Sequence, residues 1–402
     1  MTSIRTNLAN GLALFGIAGA SIGVILFGNA LTNTFMALCL LGCLLHPNIW
    51  NITSWKMVPI GLWLGLALFL WAVVASVWST GASDDIGETL RKYREFFLLP
   101  LMWLVVHQLK FLGKVQTLLI CALIFSVVLT FVFWLDWYDF SLYRQVELSV
   151  KDDIFFSLSS SFLIYILLPN RSSSRKFVAA RIFLICFTLF AVFWIEDGRT
   201  GYVISASLVC WYIWNLTDRF TLRLSGLSLL VIFGWVTYLQ SSVVQNNVHR
   251  TVNKLTFYFT EGRVLDSTGL RIGWIMTGLE GWTHKPMLGH GTGSYPSEMM
   301  NYVPEGQEKL KSANPHQQYV LFLFEQGLIG VLLFVAFLLA LFWQTILQKD
   351  YVSQGIVLMM ILGSGINSSF LDGTESQFYW ILLLLFLKPR EWRPTDAQDK
   401  PV

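Results

Sequence analysis

The chain has 402 residues, of which 54% are hydrophobic and 13% charged, with a net charge of +3. A soluble domain usually carries about twice that charged fraction, so a cytosolic enzyme, a secreted disulfide scaffold and a soluble nucleic-acid binder are all poor readings. The small positive excess gives no reason to expect a nucleic-acid partner, and the informative question is where the charges sit.

Apolar runs long enough to cross about 30 Å of hydrocarbon as helix recur along the whole sequence. They fall near 10–28, 30–46, 58–78, 95–109, 114–136, 153–169, 177–196, 201–216, 222–240, 327–347, 353–371 and 376–388. This predicts an all-α integral membrane protein of about twelve spans, with residues 1–402 as a single polytopic membrane domain. A long outer segment over 241–326 separates the ninth span from the tenth. The first run follows only Arg5 and lacks a cleavage pattern, so it reads as a retained span.

Orientation follows from Lys and Arg in the connections. With Arg5 inside, the inner connections carry Lys56, Lys110, Lys114, Arg171, Arg175, Lys176, Arg219, Arg223 and Lys349. The tail adds Lys388, Arg390, Arg393 and Lys400, which puts both termini in the cytoplasm. The outer bases are then exceptions: Arg91, Lys92, Arg94, Arg144, Lys151, Arg199 and those within 241–315. Cations placed against the rule point to an anionic ligand on that face. Asp84, Asp85, Glu88 and Glu95 offer the alternative that the 84–95 cluster neutralises itself.

Cys39, Cys43, Cys121, Cys186 and Cys210 all fall in apolar runs without metal-type spacing and read as buried packing residues. The sequons at Asn51 and Asn215 lie on the inner side and read as chance.

Within the outer segment, Asp266, Ser267 and Thr268 offer helix caps before a stripe of Leu270, Trp274, Ile275, Leu279 and Trp282. The tryptophans suit a helix at the membrane interface. Arg271 falls in its first turn, where a guanidinium joins free backbone N–H groups as an anion site, or is simply solvated. Gly289, Gly291 and Gly293 then mark a tight turn that either is structural or presents N–H groups to an anion. Asn314 and Pro315 read as N-cap and first residue of a further helix, placing His316 in its first turn. There the helix dipole favours a neutral imidazole, the form a general base requires. His46, His107, His249, His284 and His290 lack that combination.

Three patches together resemble the membrane O-antigen ligase family, whose wider group includes O-antigen polymerases and protein O-oligosaccharyltransferases. They are Asp197-Gly198-Arg199-Thr200-Gly201; Arg271-Ile272-Gly273-Trp274 with Lys285 to Gly293; and Asn314-Pro315-His316-Gln317-Gln318-Tyr319 with Glu325 to Gly330. Many relatives have Asn directly after the histidine, where this chain has Gln317. The resemblance covers nearly the whole chain and implies a C-type glycosyltransferase-like fold. It implies an undecaprenyl-pyrophosphate-linked glycan as donor and lipid A-core as acceptor, meeting at the periplasmic face of the bacterial inner membrane. On the matching positions, Arg199 and Arg271 become pyrophosphate ligands and His316 the base. Candidate substrate contacts are Arg91, Arg94, Asp197, Gln318 and Asp372.

The chemistry suits these residue types. A sugar pyrophosphate needs charge stabilisation as its bond breaks, which an arginine fork supplies bidentately. The attacking hydroxyl needs one base, and back-side attack inverts the anomeric centre. No paired outer carboxylates suggest a divalent-metal site, so no cofactor is expected. An O-antigen polymerase is the alternative within the family. A protein O-glycosyltransferase is less fitting without a larger outer C-terminal domain. From another class, a transporter of an anionic solute would draw attention to Glu325 and Asn367, but no internal repeat is visible.

Overall fold

The computed structural model describes residues 2–135, 152–168, 177–196, 198–261 and 267–390. Asp197, Asp266, Arg144, Lys151, Arg171, Arg175, Lys176, Arg393 and Lys400 lie outside the described residues. In chain order the helices are α1 (Thr2–Leu26), α2 (Asn29–Leu45), α3 (Ile60–Ala75), α4 (Ser83–Val106) and α5 (Leu112–Trp134). Next come α6 (Asp153–Leu167), α7 (Val178–Phe190), α8 (Arg199–Leu216), α9 (Phe220–Gln240) and α10 (Ser242–Glu261). The last are α11 (Ser267–His284), the single turn α12 (Tyr295–Glu298), α13 (Gln318–Leu347), α14 (Tyr351–Ile366) and α15 (Gly373–Phe386). No strand occurs among the described residues.

Every apolar run read from the sequence falls on a helix, with shifted ends. Six helical stretches are long and apolar enough to cross a bilayer: Ile4–Leu26, Ile60–Trp78, Leu112–Trp134, Val178–Ile195, Phe220–Gln240 and Gln318–Leu347. Asn29–Leu45, Asp153–Leu167 and Tyr351–Ile366 are apolar but shorter. The bilayer as solvent also explains the surface. On α9, Val231 is 72% and Trp235 62% exposed, an apolar face that lipid rather than water would cover. Cys39 and Cys43 are buried as expected, but Cys121 and Cys186 are exposed, on apolar helices, rather than packed inside.

Two boundaries change the reading of the charges. Helix α4 begins at Ser83, so Arg91, Lys92 and Arg94 stand on its first turns and not in a connecting loop. There Lys92 pairs with Glu88 at 2.9 Å, and Arg94 pairs with Glu95 at 3.4 Å. Helix α13 starts at Gln318, well before the apolar run, and is broken at Gly327 (φ 65°).

That break is matched by the glycine turn. The carbonyls of Phe324 and Glu325 accept from the N–H groups of His290 (2.9 Å) and Gly291 (2.7 Å). Beyond the break, the N–H of Leu328 donates to the Pro286 carbonyl at 2.8 Å. The Glu325 carboxylate accepts from the Tyr295 N–H at 3.3 Å. The segment 286–295 therefore supplies the partners that an interrupted helix loses, and its His290 and Gly291 N–H groups face protein carbonyls rather than an anion. Of the two readings of this turn, the structural one holds.

The α14–α15 connection is anchored by Phe370, which stacks on Phe96 at 5.3 Å and lies 5.2 Å from Trp380. Phe96 also meets Phe337 edge-on at 5.4 Å, so one aromatic cluster joins α4, α13 and α15. It sits directly beneath the polar end of the molecule.

Candidate active site

Four helix starts, of α8, α11, α13 and α15, and one helix end, of α14, converge at that polar end. Arg199 is the first residue of α8, and its Nη1 donates to Thr251 Oγ1 on α10 at 2.9 Å. Helix α8 lies close against α6, since a Cβ on Gly201 would come within 2.6 Å of Ser157 Cβ. Arg271 is the fifth residue of α11, close to the first-turn place the sequence reading gave it. Helix α11 packs on the first half of α13 through small residues: a Cβ on Gly278 or Gly281 would strike Val320 or Phe324.

The two arginines are neighbours. Arg271 is held below the ordinary guanidinium range by burial first and then by the charge of Arg199, while Glu375 pulls it back up. No hydrogen bond or ion pair joins Arg271 to another described residue. Two adjacent cations at one place favour an anion electrostatically.

His316 lies beside them but not on a helix, which corrects the sequence reading. The Asn314 side chain does not cap α13; its Oδ1 accepts from the His316 N–H at 2.8 Å and closes a local turn. His316 itself takes φ 49°, a left-handed conformation uncommon outside glycine. The cap of α13 is Gln317, whose side chain accepts from the Val320 N–H at 2.6 Å. The relative-to-family change at Gln317 thus falls on a capping residue. The imidazole packs against the Trp274 ring, with centroids 4.9 Å apart. Burial lowers its pKa, and so does the Arg271 charge, against the opposing pull of Asn367 and Asp372.

Two residues on the far side of His316 were missed as site residues. His316 Nδ1 lies 3.1 Å from Asn367 Oδ1, and Asn367 Nδ2 donates to Glu375 Oε1 at 2.7 Å. Sequence reasoning ran the eleventh span through to 371, but α14 ends at Ile366 and leaves Asn367 as its C-cap. Glu375 is buried in the first turn of α15. Glu375 lies between the last two apolar runs, and a lone carboxylate next to an apolar run was the available signal, since burying it without a partner carries a large desolvation cost.

The remaining candidates divide into two groups. Asp372 sits at the rim as the N-cap of α15. Its carboxyl is raised by lost hydration first and then by Asp152, with Thr374, Lys92 and His316 pulling it down. Arg91 is exposed. Gln318 and Arg94, in contrast, are already engaged. Gln318 is fully buried; its Nε2 donates to the Tyr93 hydroxyl at 3.1 Å and its Oε1 accepts from the Phe370 N–H at 3.0 Å. Arg94 Nη2 donates to Asn33 Oδ1 at 2.6 Å beside its Glu95 pair. Gln318 acts as a brace, its polar atoms satisfied within the protein, while Arg94 is paired on one side and partly exposed. Gln318 in particular pins the 367–372 connection over His316.

The exposed apolar helices define a multi-pass membrane protein, with Arg199, Arg271 and His316 gathered at one polar end. Residues 184–335 match the family described as O-antigen ligase. Members are membrane glycosyltransferase-like enzymes acting on O-antigen. The matched segment runs from α7 into α13 and contains Arg199, Arg271 and His316; Asn367, Asp372 and Glu375 lie beyond it. No curated protein matches the chain significantly.

Proposed function

We propose that the protein is an O-antigen ligase. It transfers a polysaccharide from undecaprenyl pyrophosphate to the lipid A-core of lipopolysaccharide, at the periplasmic face of the bacterial inner membrane. The observation that carries this reading is the convergence of Arg199, Arg271 and His316, from three separate parts of the chain, at one polar end. The paired guanidinium groups bind the pyrophosphate and stabilise the charge that grows on it as the glycosidic bond breaks. His316, kept neutral by burial and by Arg271, takes the proton of the acceptor hydroxyl. Attack opposite the leaving pyrophosphate inverts the anomeric centre, and no divalent metal takes part. Asp372 and Arg91 contact sugar groups at the rim.

The test is the lipopolysaccharide of a deletion strain, complemented with the wild-type gene. A ligase predicts loss of all long-chain bands while lipid-linked polymer accumulates. Core bearing a single repeat unit would instead identify an O-antigen polymerase. Unchanged lipopolysaccharide would overturn both.

A further inference from the structure

The polar chain behind His316 has a direction. Glu375 Oε1 accepts from the NH₂ end of the Asn367 amide at 2.7 Å. Burial raises that carboxyl to about 7, and above that pH the ionised group can only accept, which enforces this direction. The amide cannot then turn over without breaking that bond, and its Oδ1 is left facing His316 Nδ1 at 3.1 Å. An oxygen in that place must receive a hydrogen, so Nδ1 carries the N–H and Nε2 carries the lone pair.

We propose that Asn367 and Glu375 are positioning residues. Together they hold His316 in the Nδ1–H tautomer and aim Nε2 at the acceptor hydroxyl. This rests on the reading of His316 as the base of a glycosyl transfer. In that step the hydroxyl oxygen bonds to the anomeric carbon as its proton passes to Nε2. The bond from that carbon to the pyrophosphate oxygen breaks, its electron pair leaving with the pyrophosphate. The imidazolium later returns the proton to solvent.

The neutral amide between acid and imidazole has a chemical purpose. A carboxylate bonded directly to Nδ1 would favour the imidazolium and weaken the case for a free base. An interposed Asn transmits orientation but places the full negative charge one residue further away. The connection that holds Asn367 is itself fixed, through Gln318 bonded to the Phe370 N–H and Phe370 seated in the aromatic cluster. The pair thus has a rigid mounting, which a positioning role demands.

The experiment uses full-length protein in nanodiscs, purified lipid-linked donor and lipid A-core. Protein labelled with ¹⁵N-histidine gives the tautomer of the resonance that disappears in His316→Ala. The wild type should show Nδ1–H, and Nε2–H as the resident form would overturn the proposal without any variant. In Glu375→Gln the isosteric amide no longer fixes which end of Asn367 faces His316. That variant should show mixed tautomers and a kcat lowered about 10–100-fold, with the KM for donor unchanged. Asn367→Ala should do the same. Equal loss in kcat and donor binding, or an unchanged kcat with a folded variant, would overturn it. A wild type that transfers no glycan would sink the enzymatic reading instead, while the tautomer measurement would still decide the geometry.

Discussion

Arg199 and Arg271 come from α8 and α11 and stand close enough for the charge of one to depress the proton affinity of the other. Like charges so placed repel, and a doubly charged anion between them removes that cost. Each Ala variant is therefore expected to lose donor-dependent transfer by about 10²–10³-fold. Lys should rescue poorly, since one ammonium cannot reproduce the fork. A ligation assay run beside a donor-binding measurement checks this, and normal donor affinity in both variants would leave Arg91 as the next ligand to test.

His316→Ala should lower transfer by about 10²–10⁴-fold with donor binding largely kept. The pH dependence has a definite sign. Nε2 must be unprotonated to act, so the rate falls as pH drops through the His316 pKa. Burial and Arg271 move that pKa below its ordinary value of about 6.5, prevailing over Asn367 and Asp372. The kcat profile should thus decline on the acid side, and protonation of Glu375, whose carboxyl burial raises to about 7, adds to the fall near neutrality. A rate that rises as pH drops would argue against this base.

The other histidines separate cleanly from it. His290 is buried, bonds the Gly281 carbonyl through Nε2 at 2.9 Å and stacks on Phe324. His290→Ala should reduce the yield of folded protein while leaving the rate per folded molecule near normal. His284 and His249 are exposed, and their Ala variants should be mild in both respects.

Chelation offers an independent check. Among the described residues no group of three His, Cys, Asp or Glu could hold a metal ion. The transfer rate is expected to persist in excess chelator. A loss restored by magnesium or manganese would refute metal independence.

Gly291 and Gly327 carry the junction between the 286–295 segment and α13. Their φ values are 97° and 65°, and an added Cβ would come within 2.2 Å of Ser79 Cα or 2.3 Å of the Met287 carbonyl oxygen. Ala at either position should cost about 2–6 kcal/mol from strain and overlap together. Gly87 on α4 has open space around it, and Ala there should gain about 1 kcal/mol of helix propensity. Thermal unfolding in detergent distinguishes the two outcomes.

The apolar pattern made the membrane-length helices readable, because bilayer thickness imposes a minimum run of nonpolar residues on any crossing; the polar 20-residue α10 was not foreseen. Arg199, Arg271 and His316 were readable as a set through their neighbours in sequence. The failures have a shared cause: they concern polar groups satisfied by distant partners. Nothing local tells that Asn314 turns back on His316, that Gln318 reaches Phe370, or that Asn367 meets Glu375. The same limit hid α4, whose charged first turns are paired within the protein and so continue a helix that composition alone would end.

Thirty residues of continuous α13 would make a rod about 45 Å long, longer than the roughly 30 Å hydrocarbon layer. The interruption at Gly327 divides it into a span of ordinary length, Leu328–Leu347, and a short arm, Gln318–Gln326, that carries buried Glu325 and Gln326. Only the span can be delivered by membrane insertion; the arm is too short and too polar to partition into lipid on its own. Its docking onto α11 and the 286–295 segment is then a separate, later event in biogenesis. His316, at the tip of the arm, reaches Trp274 and Asn367 only when that event is complete. A molecule whose arm has not docked therefore lacks the contacts of His316 with Trp274 and Asn367.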